Sequence, residues 1–267
     1  MLTAEQVEFY KENGYLLVPG LLTQEEAAFY RAECHALIER LKKVRNVEAT
    51  WGSARKLAGA AETQLHHCHD VQFYSAAFSR LIVHEKLMQA TACLLGPNIQ
   101  LHHTKMFIKP AEKGSPFPMH QDHPYFPHER HTMMAAILHF DDAPLEKGCV
   151  RVIPGSHKLG PIPHEREGGW HLSPEEYPLE KATPCPAKAG DVLFFSYLTI
   201  HGSGLNQSQE PRTTLLIQMR DPLDPPSIRT HESRGQGMML YGIDPSCCTV
   251  RPASEAKEPL PTMGGRM

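Results

Sequence analysis

Three observations predict a mostly β protein, an antiparallel sandwich or barrel with helices ahead of it. Five strand-like runs follow one another without intervening helices, each is bounded by Gly, Pro or Asp, and the helical signals all precede them. The 267 residues, 41% hydrophobic and 21% charged, suffice for a sizeable core and exclude a fibrous or wholly disordered chain. Lys and Arg total 27 against 30 Asp and Glu, and a net charge of −3 argues against nucleic acid as the main partner. No run of about 18 apolar residues exists. The opening, Met1 to Glu12, lacks the basic and apolar blocks of a secretory leader, so the expected setting is cytoplasmic and away from a membrane. The 7 cysteines form no C-x-x-C pair and are expected to be free thiols. Histidine is the unusual count, at 17.

Along the chain, Thr3 to Gln6 and Thr23 to Glu26 fit the capping box that satisfies free amides at a helix start. Gly14 ends the first helix, and Tyr15 to Val18, closed by Pro19, reads as an edge strand. Asn46 to Ser75 lacks periodicity and carries His66, His67 and His69, while His84 to Leu95 is helix-like and stops at Gly96. Strands then dominate: Ile99 to Lys109, Thr132 to Phe140, Val150 to Ile153, Asp191 to Phe195 and Thr213 to Arg220. Between Gly155 and Gly190 the chain is rich in Pro, Gly and charge and too long for a hairpin loop, which predicts a lid or substrate loop. No internal repeat is visible. The expected organisation is one domain over 1–251, with N-terminal helices in 1–97, a β core in 98–222 and an extension in 223–251, followed by a flexible tail in 252–267.

Two His-x-Asp triplets occur, His120-Gln-Asp122 and His139-Phe-Asp141. Chance supplies roughly half of one such triplet at this composition, so context must choose between them. On a strand, residues i and i+2 share a face, and either triplet could offer an imidazole and a carboxylate to one metal. The first follows the loop Ala111 to Pro118 and precedes Pro124-Tyr-Phe-Pro127. The second ends a strand and runs into the turn Asp142-Ala-Pro144, which reads as packing and turn chemistry. Two histidines and a carboxylate on one face of an octahedral iron leave three positions open, and His201, followed by Gly-Ser-Gly, is the candidate third ligand. Downstream, Arg212 opens a strand and makes a carboxylate receptor with the hydroxyl of Ser203.

On His120-Gln-Asp122, Gly148-Cys-Val-Arg-Val-Ile-Pro-Gly-Ser-His157, Gly190-Asp-Val-Leu-Phe-Phe195 and His201-Gly-Ser203 with Arg212, the chain resembles the phytanoyl-CoA dioxygenase family of iron(II) and 2-oxoglutarate dependent oxygenases, over about residues 1 to 222. The resemblance implies a double-stranded β-helix, a cupin-like jelly roll with N-terminal helices packed on one sheet. It implies His120, Asp122 and His201 as iron ligands, Arg212 and Ser203 on the distal carboxylate of 2-oxoglutarate, Lys105 near that cosubstrate, and His103 facing the substrate. It further implies Fe(II), with 2-oxoglutarate and O2 as cosubstrates and no catalytic side chain beyond the metal centre. The expected reaction is hydroxylation of an unactivated C–H bond in a small organic molecule, with release of succinate and CO2.

His123, Tyr125 and Trp170 join His103 as substrate candidates, whereas His128 and His131 read as surface residues. Ile137 departs from the family, some of whose members carry Trp on the strand after the metal motif. A CoA thioester would favour a more basic rim than Lys105, Lys109, Lys113 and Arg130 supply, so a small organic substrate is preferred. The same cofactors can be steered to desaturation, cyclisation or epimerisation, and halogenation is disfavoured because Asp122 would have to be Gly or Ala. A non-catalytic cupin-like binder is the rival from another class, and Arg212 with Ser203 argues against it. A zinc hydrolase would lack an obvious extra general base.

Overall fold

Capping sets where the helices begin. In the computed structural model, which describes residues 1–49, 54 and 62–248, Thr3 and Thr23 accept from the amides of Gln6 and Glu26, whose side chains accept from the cap amides in return. These boxes start α1 (Ala4–Asn13) and α2 (Gln24–Lys42). Gly14, at φ 76°, stops α1 in the left-handed conformation that a residue without Cβ adopts freely. Two further helices, α3 (Ala76–Leu81) and α4 (Glu85–Leu95), precede the long strand β3 (Ile99–Lys109). The expected tail beyond residue 252 lies outside the described residues.

The seven-stranded sheet runs β1 (Tyr15–Val18), β8 (Val192–Ser196), β5 (Met134–His139), β10 (Arg212–Arg220), β3 and β11 (Met239–Tyr241), with β2 (His66–His69) also paired to β3. The four-stranded sheet runs β4 (Phe117–His120), β9 (His201–Ser203), β6 (Val150–Val152) and β7 (Thr183–Cys185). All of these strand pairs are antiparallel. The fold is the expected jelly roll, with β1 at the edge where Pro19 closes it. The five predicted runs form strands close to their expected bounds, one of them, β6, only three residues long. The strands β2, β4, β7, β9 and β11 have only three or four residues each and exist through pairing rather than through their own periodicity.

Strand alternation divides the core. One face of the large sheet (Leu138, Val192, Phe194, Leu215, Ile217) packs on Leu37, Ile38, Phe78 and Leu87 of the helices. The opposite face turns Ala135, Leu193 and Phe195 toward Val150, Val152 and Cys185 of the small sheet. At about 1.5–3 kcal/mol for each fully buried large apolar side chain, the helical layer fixes the large sheet and leaves its inner face to carry the site. The described cysteines whose side chains are assigned are free. No described helix is long and apolar enough to cross a membrane.

Candidate active site

Between the two sheets lies a cavity of about 1070 Å³ whose wall includes His120, Asp122, His201, Ser203 and Arg212. Pairing of β4 with β9 sets His120 directly opposite His201, and their ring centroids are 4.3 Å apart. The close pairing of these strands needs Gly202 beside His201, because a Cβ there would lie 2.8 Å from the Phe117 carbonyl. Nδ1 of His120 is 2.7 Å from the Pro118 carbonyl, and Nδ1 of His201 is 2.9 Å from that of Thr199. A carbonyl only accepts, so each Nδ1 carries the proton and each Nε2 keeps a lone pair. Those two Nε2 atoms lie 3.6 and 3.8 Å from Asp122 Oδ1. Such separations are too long for hydrogen bonds and fall inside the roughly 4.2 Å that two donors can span across one ion with bonds of about 2.1 Å. The donor set therefore fits a divalent metal, and it is the one such cluster among the described residues.

Electrostatics agree. Burial alone would raise the Asp122 carboxyl, but the imidazoles of His201 and His120 and the Gln218 amide outweigh it and hold the carboxyl below its usual range. Burial pushes the His201 imidazole down to about 4, which keeps it neutral and ligating at physiological pH. Gln218 Nε2 donates to the second Asp122 oxygen at 3.4 Å. Gln121, the middle residue of the triplet, is fully buried and bonds the carbonyls of Gly160 (2.9 Å) and Leu198 (2.7 Å) and the amide of Ile162 (3.0 Å). The segment after Gly155 is thus stitched to the metal motif.

At the other end of the same wall, Arg212 pairs in register with Lys109 of β3, so both side chains point to one face. Arg212 bonds the Gly148 carbonyl. Lys109 Nζ donates to Ser203 Oγ at 2.7 Å and to the Gly204 carbonyl at 2.6 Å. Burial, then the neighbouring guanidinium, pushes Lys109 well down; burial lowers Arg212 to about 10, still charged at neutral pH. Two basic groups facing each other in the interior repel unless an anion lies between or beside them, which is what a carboxylate receptor needs.

The predicted metal and carboxylate-receptor residues are therefore brought together, with one addition. The lysine bonded to Ser203 is Lys109, while Lys105 sits four residues back on the same strand face, with Nζ 5.0 Å from the Phe107 ring centroid. Lys105, His103, Tyr125 and Trp170 line the cavity; His123 lies instead with His131 and Tyr197, its ring 5.5 Å from each. Trp170 belongs to the Gly155–Gly190 segment, which also brings Arg166, Gly168 and Gly169 to the cavity, and Arg166 stacks at 4.4 Å over the Trp170 ring. His128, expected at the surface, is buried at 1% exposure, with Nδ1 2.8 Å from the Phe126 carbonyl. Alternation along β3 offered a signal for Lys109, since 103, 105, 107 and 109 share a face; nothing local pointed to Gln121, His67, His69 or His231.

Comparison with known proteins gives the family and the fold. The family model for phytanoyl-CoA dioxygenase matches residues 10–214. Rat peroxisomal phytanoyl-CoA dioxygenase is 30% identical over 226 residues, covering 78% of this chain, and the chain spans 65% of the rat protein's length. Ectoine dioxygenase of Bordetella parapertussis is 26% identical over 98% of this chain and 87% of its own. Among solved structures, the 2-oxoglutarate dependent epimerase SnoN of nogalamycin biosynthesis aligns with TM-score 0.66 at 28% identity, covering 82% of each chain. A second SnoN structure, in complex with Fe3+ and 2-oxoglutarate, aligns with TM-score 0.67 at 24% identity over 90% of this chain and 96% of that one. The fold is the jelly roll shared with these 2-oxoglutarate dependent enzymes, and the site offers a donor set that could hold a metal ion. The chain belongs to the phytanoyl-CoA dioxygenase family.

Proposed function

We propose that this protein is an Fe(II) and 2-oxoglutarate dependent dioxygenase that hydroxylates an unactivated C–H bond of a small organic molecule, its residues 1–251 acting as one domain. The observation that carries the reading is the convergence, on one cavity wall, of the His120, Asp122 and His201 donors with Arg212 and with Ser203, which Lys109 backs from behind. In this assignment His120, Asp122 and His201 hold the iron. The iron, with 2-oxoglutarate and O2, supplies the oxidising power for C–H cleavage, and 2-oxoglutarate leaves as succinate and CO2.

The chain's own residues set the geometry. The Pro118 and Thr199 carbonyls orient the two imidazoles, and Gln218 orients the carboxylate. Arg212 grips the distal carboxylate of 2-oxoglutarate with its planar fork. Lys109 occupies a lone pair of Ser203, which leaves the hydroxyl proton to be donated to that same carboxylate. Leu193, Phe195, Ile137 and Val150 make a dry wall behind the centre. Trp170 and the segment around it act as a lid, tied to the metal motif through Gln121.

A second reading, the same cofactors steered to epimerisation, cyclisation or desaturation in a biosynthetic pathway, is favoured by the solved epimerase at 28% identity and the 2-oxoglutarate dependent carbocyclase SnoK at 25%. Anaerobic complexes screened by mass spectrometry, then succinate release and product mass for each hit, test both readings. Product heavier by one oxygen is expected. Product of unchanged mass, or lighter by two hydrogens, selects the second reading, and no succinate with any ligand contradicts the first.

A further inference from the structure

Asp122 is held by an amide whose other end the chemistry above does not use. Gln218, on β10, is fully buried and donates from Nε2 to the second Asp122 oxygen at 3.4 Å. A carboxylate only accepts, so the amide nitrogen faces Asp122 and the carbonyl oxygen is turned away from it. That Oε1 is buried and has no hydrogen-bond donor among the described residues. Its neighbours in register supply none, since Ala135 of β5 has no polar side chain and Nδ1 of His103 of β3 is engaged with Nδ1 of His102 at 2.7 Å. The cavity, which Gln218 lines, is the side from which a donor can come.

On this basis, and resting on the oxygenase reading above, we infer that Gln218 selects the substrate by accepting a hydrogen bond from a neutral O–H or N–H group, a hydroxyl or an amide, on or next to the carbon presented to the metal site. Position follows from the amide itself. The group that holds Asp122 also holds the donor, which therefore lies one amide away from a metal ligand. Neutrality follows from the other acids on the cavity wall, which are engaged elsewhere: Glu48 with His66 at 3.0 Å, Glu232 with Arg229 at 2.7 Å, and Asp70 with Ser233. A cation seated on Gln218 would shed its water and meet only a dipole. A hydrocarbon would fit against Ile137, Leu216 and Phe126 of the same wall, yet it would bury Oε1 without a donor. A site built to hydrogen-bond its substrate rejects an analogue that lacks the donor more strongly than an apolar pocket rejects a missing methylene.

A second buried amide shows what a purely structural one looks like. Gln121 is satisfied at both ends, its Oε1 accepting from the Ile162 amide at 3.0 Å and its Nε2 donating to the carbonyls of Gly160 and Leu198. Among the described residues, Gln72, Gln100 and Gln218 each keep a buried amide atom without a partner, and of these three Gln218 alone lines the cavity.

The test compares probes of matched shape that differ in the donor. Protein loaded with Zn(II) and 2-oxoglutarate is titrated, by ligand-observed NMR, with cyclopentanol against cyclopentanone and with benzyl alcohol against its isomer anisole. The expected result is that each alcohol binds the wild-type protein about tenfold more tightly than its donor-free counterpart, a difference of roughly 1.4 kcal/mol. In Gln218→Met, of similar bulk, that preference should fall below about twofold because the alcohols weaken while cyclopentanone and anisole do not. Gln218→Asn, whose shorter side chain draws the oxygen back, should lose the preference in the same way and serves if the methionine variant does not fold. Equal binding of both members of each pair by the wild-type protein, no binding of any of these probes, or a preference that survives in a folded variant overturns the proposal. Failure of the wild-type protein to take up Zn(II) and 2-oxoglutarate would overturn the oxygenase reading itself, and this proposal with it, before any probe is added.

Discussion

The two His-x-Asp triplets have the same spelling and opposite fates. His120 ends a four-residue strand whose partner in register is His201, and Asp122 follows at the start of a turn, so three donors meet at a cavity wall. His139 ends an interior strand of the large sheet, opposite Thr214, and Asp141 leaves the sheet to bond the Arg31 side chain at 2.5 Å and the Thr213 amide at 2.9 Å. Spacing along one strand decides which face a pair shows. Only the strand paired across from it decides whether a third donor is there.

That contrast can be broken at its strongest point first. His120→Ala or His201→Ala should abolish Fe(II) binding and 2-oxoglutarate turnover, whereas His139→Ala should leave iron affinity nearly intact, both read by anaerobic metal titration. Exchange of those outcomes would make the second triplet the site. Next, Arg212→Ala should weaken 2-oxoglutarate by about 2–5 kcal/mol without removing iron, as expected when one partner of a buried charge contact is truncated. Arg212→Lys should rescue only part, because an ammonium lacks the two-pronged fork. An unchanged KM for 2-oxoglutarate would contradict the assignment.

Asp141→Ala should cost stability but not iron. It loses one ion pair whose Arg31 partner is 39% exposed and one amide bond, together about 1–2 kcal/mol by thermal or urea melts. The smallest effect is a pH slope. Burial, then Arg212, lowers the His139 imidazole to about 3, against about 6.5 in the unfolded chain. The folded-state value is depressed, so this contribution is fully present above pH 6.5 and is lost as pH falls toward 3. His139→Leu should therefore flatten part of the fall in Tm between about pH 7 and pH 4.5; an unchanged slope would mean that His139 does not carry it.

How much of this was legible follows from range. The long strands announced themselves as strand-like runs bounded by Gly, Pro or Asp, and the capping boxes of α1 and α2 were visible because they close within one turn. The metal donors were legible as a short motif plus one distant histidine. Lys109 was only half legible: alternation along β3 puts it on the face of His103 and Lys105, but identifying Arg212 as its neighbour requires the register of β10 on β3. His69 and His231 reach the cavity from a four-residue strand and an irregular segment, where no local pattern fixes direction. His128 looked like a surface residue in a polar run, yet it is buried with its ring bonded to the Phe126 carbonyl.

The central claim is that one wall holds both the metal and the cosubstrate. It is tested most directly by anaerobic titration of the Fe(II) protein with 2-oxoglutarate, followed through the charge-transfer absorption that appears when the keto acid chelates iron. The account predicts the band in wild type and His139→Ala, its loss in His120→Ala and Asp122→Ala, and its appearance only at much higher 2-oxoglutarate in Arg212→Ala. A band of wild-type strength and midpoint in Asp122→Ala, together with its loss in His139→Ala, would contradict the account.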